Sequence, residues 1–318
     1  MKYLLITLTL VSSPLLAEDE IFTDPNKAGE DYLVQGEYAG TLNVDGESVP
    51  FGLQVIALGD HKFDAVGYMG GLPGDGWNKE EKIRASGETK DGKTELTSAE
   101  GTATISNGKV AIHSTDGENL GSLKKIERKS PTLGAKPPEG ATVLFDGSTA
   151  EHFEGGEIVD EKLLAANCAT KEKFGDHKLH IEFRTPFKPK ARGQGRGNSG
   201  VYMQSRYECQ VLDSFGLEGE NNECGGIYQI ARPAVNACLP PLTWQTYDID
   251  FKAAVWKDGK KVTNARATIR HNGILIHDDL ELPKNTPGKH DEADSPDGIY
   301  LQGHGNPVVY RNIWIVKK

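Results

Sequence analysis

The chain has 318 residues, of which 37% are hydrophobic and 26% are charged, with 37 glycines and 16 prolines. This composition is typical of a loop-rich globular protein, and the length predicts two domains. The formal net charge is −10, so the surface repels phosphate backbones and we expect no nucleic-acid partner. No stretch approaches about 20 consecutive apolar residues, so no membrane span is predicted.

Residues 1–17 have the pattern of a secretory signal peptide. Lys2 supplies a positive charge, Leu4 to Val11 form an apolar stretch, and Ala17 is a small residue at the cleavage position. We therefore expect the signal to be cleaved and the mature protein to begin near Glu18. The predicted location is periplasmic or extracellular.

Residues 18–129 are predicted to form a small all-β domain of undefined role. Short alternating segments are separated by Asp-Gly and Asn-Gly pairs, which are typical of tight hairpin turns. Hairpins in series predict a small β-sandwich or barrel. The predicted strands are 36–44, 50–58, 62–68, 94–99, 102–105, 109–113 and 121–127.

A glycine-dense loop at residues 70–77 carries a single aromatic residue, Trp77. Such a loop can display a tryptophan to a sugar. The alternative is that Trp77 fills the core of its own domain, as large aromatic side chains usually do.

Residues 130–140 are rich in proline and glycine without apolar periodicity, which predicts a linker. Residues 141–318 then form a second strand-rich domain, in which the Asn272-Gly273 pair favours a type I′ hairpin. Eight or more strands predict a two-sheet sandwich or jelly roll. The predicted strands are 178–185, 200–205, 207–212, 245–255, 266–270, 274–277, 299–301 and 308–316.

The 4 cysteines of the chain all lie in the predicted second domain. Their spacing matches no zinc motif, so they are interpreted as disulfide staples or buried thiols rather than metal ligands. A bridge between Cys224 and Cys238 is the preferred pairing, because it would close a single loop.

Three predicted strands carry rows of polar side chains on one face, because alternate residues of a strand share a face. The rows are His180, Glu182 and Arg184; Tyr202 and Gln204; and Glu208 and Gln210. Placed side by side, they would form a polar surface suited to sugars. The alternative is an ordinary sheet face that turns its polar residues to water.

Two loops add candidate site residues. The segment at 193–200 has four glycines around Asn198 and Ser199, which would let the backbone approach a ligand closely. His304 lies between two glycines and is suited to acid or base chemistry, because its ordinary pKa lies near neutrality. It could equally be a turn residue.

The second domain resembles the 3-keto-disaccharide hydrolase family. The resemblance covers roughly residues 142–318 in unbroken order and rests on successive sequence blocks. These blocks are Val143-Leu144-Phe145-Asp146-Gly147, residues 175–186, residues 197–202, residues 207–213, residues 244–249, residues 302–308 and Tyr310-Arg311-Asn312-Ile313.

The resemblance implies a concanavalin-like jelly-roll β-sandwich that cleaves 3-keto-glycosides or 3-keto-disaccharides, the products of a partner sugar 3-oxidoreductase. A C3 ketone acidifies the C2 proton, so the C1 substituent can leave by β-elimination before water adds. The alternative is hydrolysis by two carboxyl groups about 5 to 10 Å apart, which Glu182 and Glu208 would supply from adjacent strands.

We assign roles on the basis of the expected shared polar face. Glu208 is the base, His304 the acid or second base, and Arg184 the group that stabilises negative charge. Glu182 is a further catalytic candidate. The residues expected to bind and position the carbohydrate are Asn198, Tyr202, Gln210, Asp213, His271 and Trp244.

No cofactor is predicted. A divalent metal joining Glu208, His304 and another oxygen ligand is compatible with these residue types, although the spacing does not require it. Two other classes of function stay open: a noncatalytic carbohydrate-binding protein, and a surface adhesion protein in which both β domains make contacts.

Overall fold

The computed structural model describes residues 20–318, and the predicted signal peptide lies outside the described residues. The described chain starts with a single 3₁₀ turn, Pro25–Lys27, followed by a short α-helix, α1 (Gly29–Val34). Between residues 20 and 318 no helix is long and apolar enough to cross a bilayer. Nearly all remaining regular structure is β-strand.

The N-terminal part of the chain is a closed β-barrel. Its strands are β1 (Gly36–Val44), β2 (Glu47–Gly59), β3 (Lys62–Met69), β4 (Ile83–Lys90), β5 (Lys93–Thr97), β6 (Gly101–Ser106), β7 (Lys109–Ser114) and β8 (Asn119–Ile126). Each strand pairs antiparallel with the next, and β1 also pairs with β8, so the sheet closes on itself. The sequence predicted either a small sandwich or a barrel, and the structure is a barrel.

The barrel interior follows from the alternation of its strands. Tyr38 and Leu42 of β1, Leu53 of β2 and Leu123 of β8 are buried in one apolar cluster. Helix α1 lies at one end of the barrel, where Tyr38 Oη donates a hydrogen bond to Val34 O at 2.6 Å. The first helix therefore covers one end of the barrel interior.

Strand β4 was missed from the sequence because it carries little apolar alternation. Its buried-side positions are Ile83, Ala85 and Gly87, and its other positions are polar or small. A side chain at Gly87 would place its Cβ 1.8 Å from Glu95 O on the neighbouring strand. Close backbone packing, which hydrophobic patterning does not report, therefore replaces side-chain packing here.

The C-terminal part, residues 142–317, contains two antiparallel sheets and a separate hairpin. Its strands are β9 (Thr142–Phe145), β10 (Phe153–Glu154), β11 (Ile158–Val159), β12 (Leu163–Ala165), β13 (Cys168–Thr170), β14 (His177–Arg184), β15 (Ser199–Met203), β16 (Tyr207–Val211), β17 (Gln245–Lys252), β18 (Val255–Lys257), β19 (Lys260–Thr263), β20 (Ala265–His271), β21 (Ile274–Leu282), β22 (Tyr300–Leu301) and β23 (Val309–Lys317).

The two sheets share a single apolar core. The five-stranded sheet has the order β10-β13-β22-β15-β16, and the eight-stranded sheet has the order β11-β12-β23-β14-β17-β20-β21 with β9 beside β23. Ile181 and Phe183 of β14 pack in the same buried cluster as Val201 of β15 and Cys209 of β16. Each sheet therefore turns one face inward and one face outward.

The cysteines are not paired in the structure. All four side chains are buried free thiols, so the expected bridge between Cys224 and Cys238 is not formed. Cys224 Sγ instead lies 3.2 Å from Tyr247 Oη inside the core. Burial accordingly raises the pKa of Cys209 and of Cys168, the latter to about 12.

Trp77 packs against its own domain. Its ring meets the ring of Tyr68 edge-on at a centroid distance of 5.2 Å, and Lys82 Nζ lies 5.4 Å from the Trp77 ring. Trp77 is therefore a packing residue, but it lies in a cluster with Ile56, Tyr68 and Phe215 on the outer side of the barrel and not in the barrel core, as the second interpretation expected.

A buried ion pair joins the barrel to the two sheets. Arg196 Nε lies 2.6 Å from Asp213 Oδ2, and the Arg196 guanidinium also donates to Ala57 O of β2 at 3.3 Å. Both charged side chains are almost fully buried. On the rim of the same interface, Glu218 accepts from Lys82 and Arg84 of the barrel.

We expect Arg196→Met to lower the free energy of unfolding by about 3 kcal/mol, because it leaves the Asp213 carboxyl buried without its partner. Urea titration followed by circular dichroism measures this loss. Arg270→Met is the matched control, since Arg270 is exposed. A difference between the two variants below about 1 kcal/mol would contradict a structural role for the pair.

Candidate functional site

The polar rows expected to form one surface lie on two different sheets. Strand β14 belongs to the eight-stranded sheet, whereas β15 and β16 belong to the five-stranded sheet. Because both sheets turn their apolar side chains into the shared core, Glu182 and Glu208 face outward on opposite sides. The expectation that these strands lie side by side is therefore wrong. Alternation assigns a residue to a face but not to a sheet.

Glu182 fastens the segment that follows the barrel onto the eight-stranded sheet. Its carboxylate accepts from Gly134 N at 2.5 Å, from Arg311 Nε at 2.7 Å and from Asn312 Nδ2 at 2.9 Å. Burial acts to raise the pKa of Glu182, but hydrogen bonds from His180 and these partners outweigh it and hold the pKa at about 2. The carboxylate is thus fully engaged within the protein.

The same outer face carries further hydrogen bonds to residues 130–135. His180 Nδ1 lies 2.6 Å from Asp248 Oδ1, and Asp248 Oδ2 accepts from Thr132 Oγ1 at 2.6 Å. Ser130 Oγ lies 2.6 Å from Thr246 Oγ1. The chain at 130–135, predicted as part of a linker, is therefore bound along the sheet.

Arg184 and Trp244 also lie on this side of the molecule. The guanidinium carbon of Arg184 stands 5.1 Å from the centre of the Trp244 ring, and that of Arg311 stands 3.9 Å from it. Burial lowers the pKa of Arg184. The structure therefore groups Arg184 with Trp244 and Arg311, and not with Glu208.

Asp213 and His271 are enclosed within the protein. Asp213 is the buried partner of Arg196 described above, and burial raises its pKa against the effect of that arginine. His271 lies in the core with Nε2 2.9 Å from Gln245 Oε1, and burial lowers its pKa to about 3. Neither side chain reaches the outer face of the five-stranded sheet.

The outer face of the five-stranded sheet brings together Glu208 and several hydrogen-bonding and aromatic groups. In the strand register Tyr202 lies between Glu208 on β16 and Tyr300 on β22, and Gly200 lies opposite Gln210. Gln302 continues β22, because its N–H donates to Gly200 O at 2.9 Å. We call this side of the sheet the Glu208 face; it consists of Gly200, Tyr202, Glu208 and Gln210, which are buried, and Tyr300 and Gln302, which are half-buried.

Gly200 makes room for the Glu208 carboxyl. A Cβ atom at position 200 would lie 2.3 Å from Glu208 Oε1, so any larger residue would displace the carboxyl group. The carboxyl therefore leans over the neighbouring strand β15. A glycine inside a strand often marks such a close approach, which explains why Gly200 is found in the middle of β15.

The pKa of the Glu208 carboxyl is raised to near neutrality. Burial raises the pKa of Glu208 to about 7, although a hydrogen bond from Tyr202 acts in the opposite direction. Tyr202 Oη lies 2.8 Å from Glu208 Oε2 and 3.0 Å from Pro287 O, and it accepts from Gln302 Nε2 at 3.1 Å. Both protonation states of the carboxyl can be accommodated by these groups.

The single proton of the Tyr202 hydroxyl has two acceptors. When Glu208 is ionised, the hydroxyl donates to Glu208 Oε2. When Glu208 is protonated, the carboxyl can donate to Tyr202 Oη while the hydroxyl proton turns to Pro287 O. Tyr202 therefore supports a carboxyl group that gains and loses a proton.

Asn198 is hydrogen-bonded to Gln210 of the Glu208 face. Gln210 Nε2 donates to Asn198 Oδ1 at 2.8 Å, and Asn198 Nδ2 donates to Gln194 Oε1 at 2.8 Å. This chain of amides ties the glycine-rich segment at 193–200 to β16. The two residues are brought together as predicted, in contact with each other.

His304 lies in the exposed loop between β22 and β23. Its carbonyl oxygen accepts from Asn306 Nδ2 at 3.0 Å, and Asn306 Oδ1 accepts from Gly197 N at 3.3 Å. The loop therefore runs beside the segment that leads into Asn198. The His304 ring makes no hydrogen bond to any residue of the described range 20–318.

Four residues at or beside the Glu208 face were not predicted from the sequence. Tyr300 and Gln302 flank the buried Leu301, so alternation along β22 could have identified them. Tyr228 lies in a non-strand segment, and its own backbone N–H donates to Glu208 O at 3.3 Å. Lys289 Nζ stands 4.6 Å from the centre of the Tyr300 ring, on a loop that no periodicity marks.

No cluster of three or more histidine, cysteine, aspartate or glutamate side chains is arranged to hold a metal ion within residues 20–318. Glu208 and His304 are the residues that would have to contribute ligands to the metal considered from the sequence. The described contacts do not join them.

Fold and site together define a β-rich protein with a polar, tyrosine-lined sheet face around one titratable carboxyl. Residues 140–316, more than half of the chain, match the family described as the 3-keto-alpha-glucoside-1,2-lyase-like domain, and the chain belongs to this family. The resemblance drawn from the sequence is thereby confirmed. Among curated proteins, none matches the chain.

Solved structures of three candidate glycosyl hydrolases from Parabacteroides distasonis ATCC 8503 resemble the C-terminal part. The first is 31% identical with a TM-score of 0.53, and the match covers 57% of this chain and 85% of that one. The second is 18% identical with a TM-score of 0.42, covering 57% and 94%. The third is 20% identical with a TM-score of 0.39, covering 56% and 99%.

We expect Glu182→Gln to destabilise the fold at neutral pH. Because the pKa of Glu182 falls from 4.5 to about 2 on folding, its ionised form contributes stability above pH 4.5, on the order of 3 kcal/mol. This contribution is lost as the pH falls through about 2, so wild type and variant should converge there. Urea titrations at pH 7, 4 and 2 measure the difference.

Glu157→Gln is the control for this prediction, since Glu157 is exposed. If Glu182→Gln were as stable as Glu157→Gln at pH 7, the carboxylate would not fasten residues 130–135.

Proposed function

We propose that this protein is an exported enzyme that cleaves the glycosidic bond of 3-keto-glycosides or 3-keto-disaccharides by elimination followed by hydration. The reaction takes place on the Glu208 face, with Glu208 as the base. The observation that carries the proposal is a buried carboxyl group on a tyrosine-lined face, with one oxygen held by Tyr202 and a pKa that burial raises to about 7.

The family and its relatives support this class of chemistry. The family name refers to a lyase acting on a 3-keto-α-glucoside, and the relative at 31% identity is a candidate glycosyl hydrolase. Both the family and this relative therefore support an enzyme that acts on glycosides. The 3-keto requirement, the concanavalin-like jelly-roll classification of the two-sheet part and export by the signal peptide are finer parts of the proposal.

The first step is removal of the C2 proton of the bound sugar by Glu208 Oε1. No residue between 20 and 318 donates a hydrogen bond to this oxygen, whereas Oε2 is held by Tyr202. The electron pair of the C–H bond forms an enolate with the C3 carbonyl. Lys289, at the rim of the face beside Tyr300, is a cation suited to stabilise the negative charge on that oxygen.

The second step breaks the bond from C1 to the leaving oxygen as the enolate collapses to a C1–C2 double bond. His304 is the proposed acid that protonates the leaving oxygen. Water then adds across the double bond, its hydroxyl going to C1 and a proton to C2, which regenerates a 3-keto sugar. Glu208, protonated in the first step, exchanges that proton with solvent and then protonates C2, while the proton released by the attacking water restores the acid form of His304.

The opposite placement of the two glutamates favours elimination over a paired-carboxylate route. That route needs carboxyl groups about 5 to 10 Å apart on either side of the bond to be broken. Glu182 and Glu208 face away from each other across a core between two sheets, and stacked sheets alone stand about 10 Å apart. Arg184, which the sequence suggested as the group that stabilises negative charge, lies on the same side of the molecule as Glu182 and away from Glu208.

A substrate already oxidised at C3 implies a preceding oxidation. We propose functional coupling to a sugar 3-oxidoreductase, which would convert the C3 hydroxyl of a glycoside to a ketone before this protein acts. No redox cofactor is needed for the elimination itself, because no electrons are gained or lost overall.

We expect the purified protein to release sugar from 3-keto-trehalose or 3-keto-lactose and not from trehalose or lactose. Glu208→Gln should lower kcat by about 10²- to 10⁴-fold, as loss of a general base does. Glu182→Gln and Glu157→Gln should both keep the wild-type kcat at 20 °C. In D₂O the product should carry deuterium at C2, above a control without enzyme.

Two results would overturn the proposal in different ways. Binding of 3-keto sugars without any release would identify a noncatalytic carbohydrate-binding protein. Release that Glu208→Gln leaves intact would remove the reaction from the Glu208 face.

The pH profile tests the role of Tyr202. In the wild type, kcat/KM should rise as the pH passes through about 7, because the base must be ionised. Tyr202→Phe removes the hydrogen bond that lowers the pKa of Glu208, so the acid limb should move to higher pH. An unchanged acid limb, with kcat/KM lowered uniformly, would indicate that Tyr202 has a packing role alone.

A further inference from the structure

The barrel holds a cavity that neither the family match nor the proposed reaction accounts for. Its volume is about 310 Å³, and Leu42, Leu53, Leu96 and Ala103 form its inner walls. This is roughly twice the ~150 Å³ apolar cavity that accommodates benzene, and it falls at the lower end of ligand-pocket sizes. Barrels of eight strands are wide enough either to be filled by side chains or to enclose one small ligand.

The two ends of the barrel differ in how well the inward-facing side chains are covered. At the α1 end, Phe63, Ile105 and Val110 are fully buried. At the opposite end, Val44 and Ile112 are only half-buried although they line the cavity. Apolar walls are therefore in contact with water at one end, and that end is the mouth of the cavity.

The closed end is fixed by helix α1. Tyr38 Oη donates to Val34 O, Lys125 Nζ donates to Leu33 O, and His61 N donates to Asp31 Oδ2 at 3.2 Å. These bonds tie the helix to β1, β8 and the turn between β2 and β3. A ligand can therefore enter through the mouth alone.

The charge at the mouth restricts the ligand. Glu100 and His113 are the titratable residues of the cavity lining, and within the described barrel that lining includes no lysine or arginine. An anionic head group would meet the Glu100 carboxylate without a cation to pair with it. An uncharged molecule would bury its apolar surface at no such cost.

We propose that the barrel is a binding site for an uncharged lipophilic molecule of about ten carbon atoms, such as a medium-chain alcohol or a two-ring aromatic compound. Binding replaces water against the apolar walls around Leu96 and Ala103. The site is separate from the Glu208 face, and the proposal holds whether or not that face is catalytic.

The test is a fluorescence titration of the purified protein with N-phenyl-1-naphthylamine, an uncharged probe that brightens in apolar surroundings. We expect saturable binding of one probe per chain, with displacement by 1-decanol at a concentration at least tenfold lower than by decanoate at pH 8. Glu100→Gln should narrow that difference. Equal displacement by the alcohol and the carboxylate would overturn the selection for an uncharged ligand.

Two variants and one control locate the site. Ala103→Leu fills the cavity and should weaken probe binding at least tenfold, whereas Ala111→Leu makes the same change on the outer side of β7, where Ala111 lies outside the cavity lining. Val44→Trp places a large side chain at the half-exposed mouth and should also weaken probe binding, so it tests the location of the site if Ala103→Leu fails to fold. Nonsaturable binding, or wild-type affinity in a folded cavity variant, would overturn the proposal.

Discussion

The shared apolar core of the C-terminal part decides where every polar side chain of its two sheets can go. Each strand must give one of its two faces to that core, so its polar row is left on the outside of whichever sheet the strand joins. Strands β14 and β16 follow the same alternation, yet their glutamates end on opposite surfaces. One carboxylate became a structural anchor, and the other a group poised to titrate.

The contrast between these two glutamates lies in their hydrogen-bond donors. Glu182 is surrounded by donors from backbone and side chains, including Arg311, which fix it in the ionised form. Glu208 is as deeply placed but has a hydroxyl as its partner, so burial dominates and the pKa rises. Environment, not residue type, separates an anchor from a candidate base.

Much of the strand content followed from alternation and turn chemistry. Strand β1 was predicted at 36–44 and lies there, and β14, β16 and β23 were predicted within two residues of their ends. Strand β4 was missed because its inward side is small and partly formed by Gly87. The short strands between β9 and β13 were missed because two or three residues carry no usable period.

The site was predicted less completely than the fold. Tyr202, Glu208, Gln210 and Asn198 belong together because β15 and β16 form a local hairpin, whose pairing follows from chain proximity. Glu182, Arg184 and Trp244 were assigned to the same surface wrongly, since pairing between distant strands is set by the whole core. Tyr228 comes from a segment without periodicity.

The segment at 130–135 gives the molecule an unusual modular boundary. These residues follow the barrel in sequence, but Ser130, Thr132 and Gly134 are bonded to the outer face of the eight-stranded sheet. A recombination event that exchanged the barrel for another module would have to cut before Ser130. A cut at residue 140 would remove residues 130–135 from the outer face of the sheet and leave the Glu182 carboxylate with fewer hydrogen-bond donors.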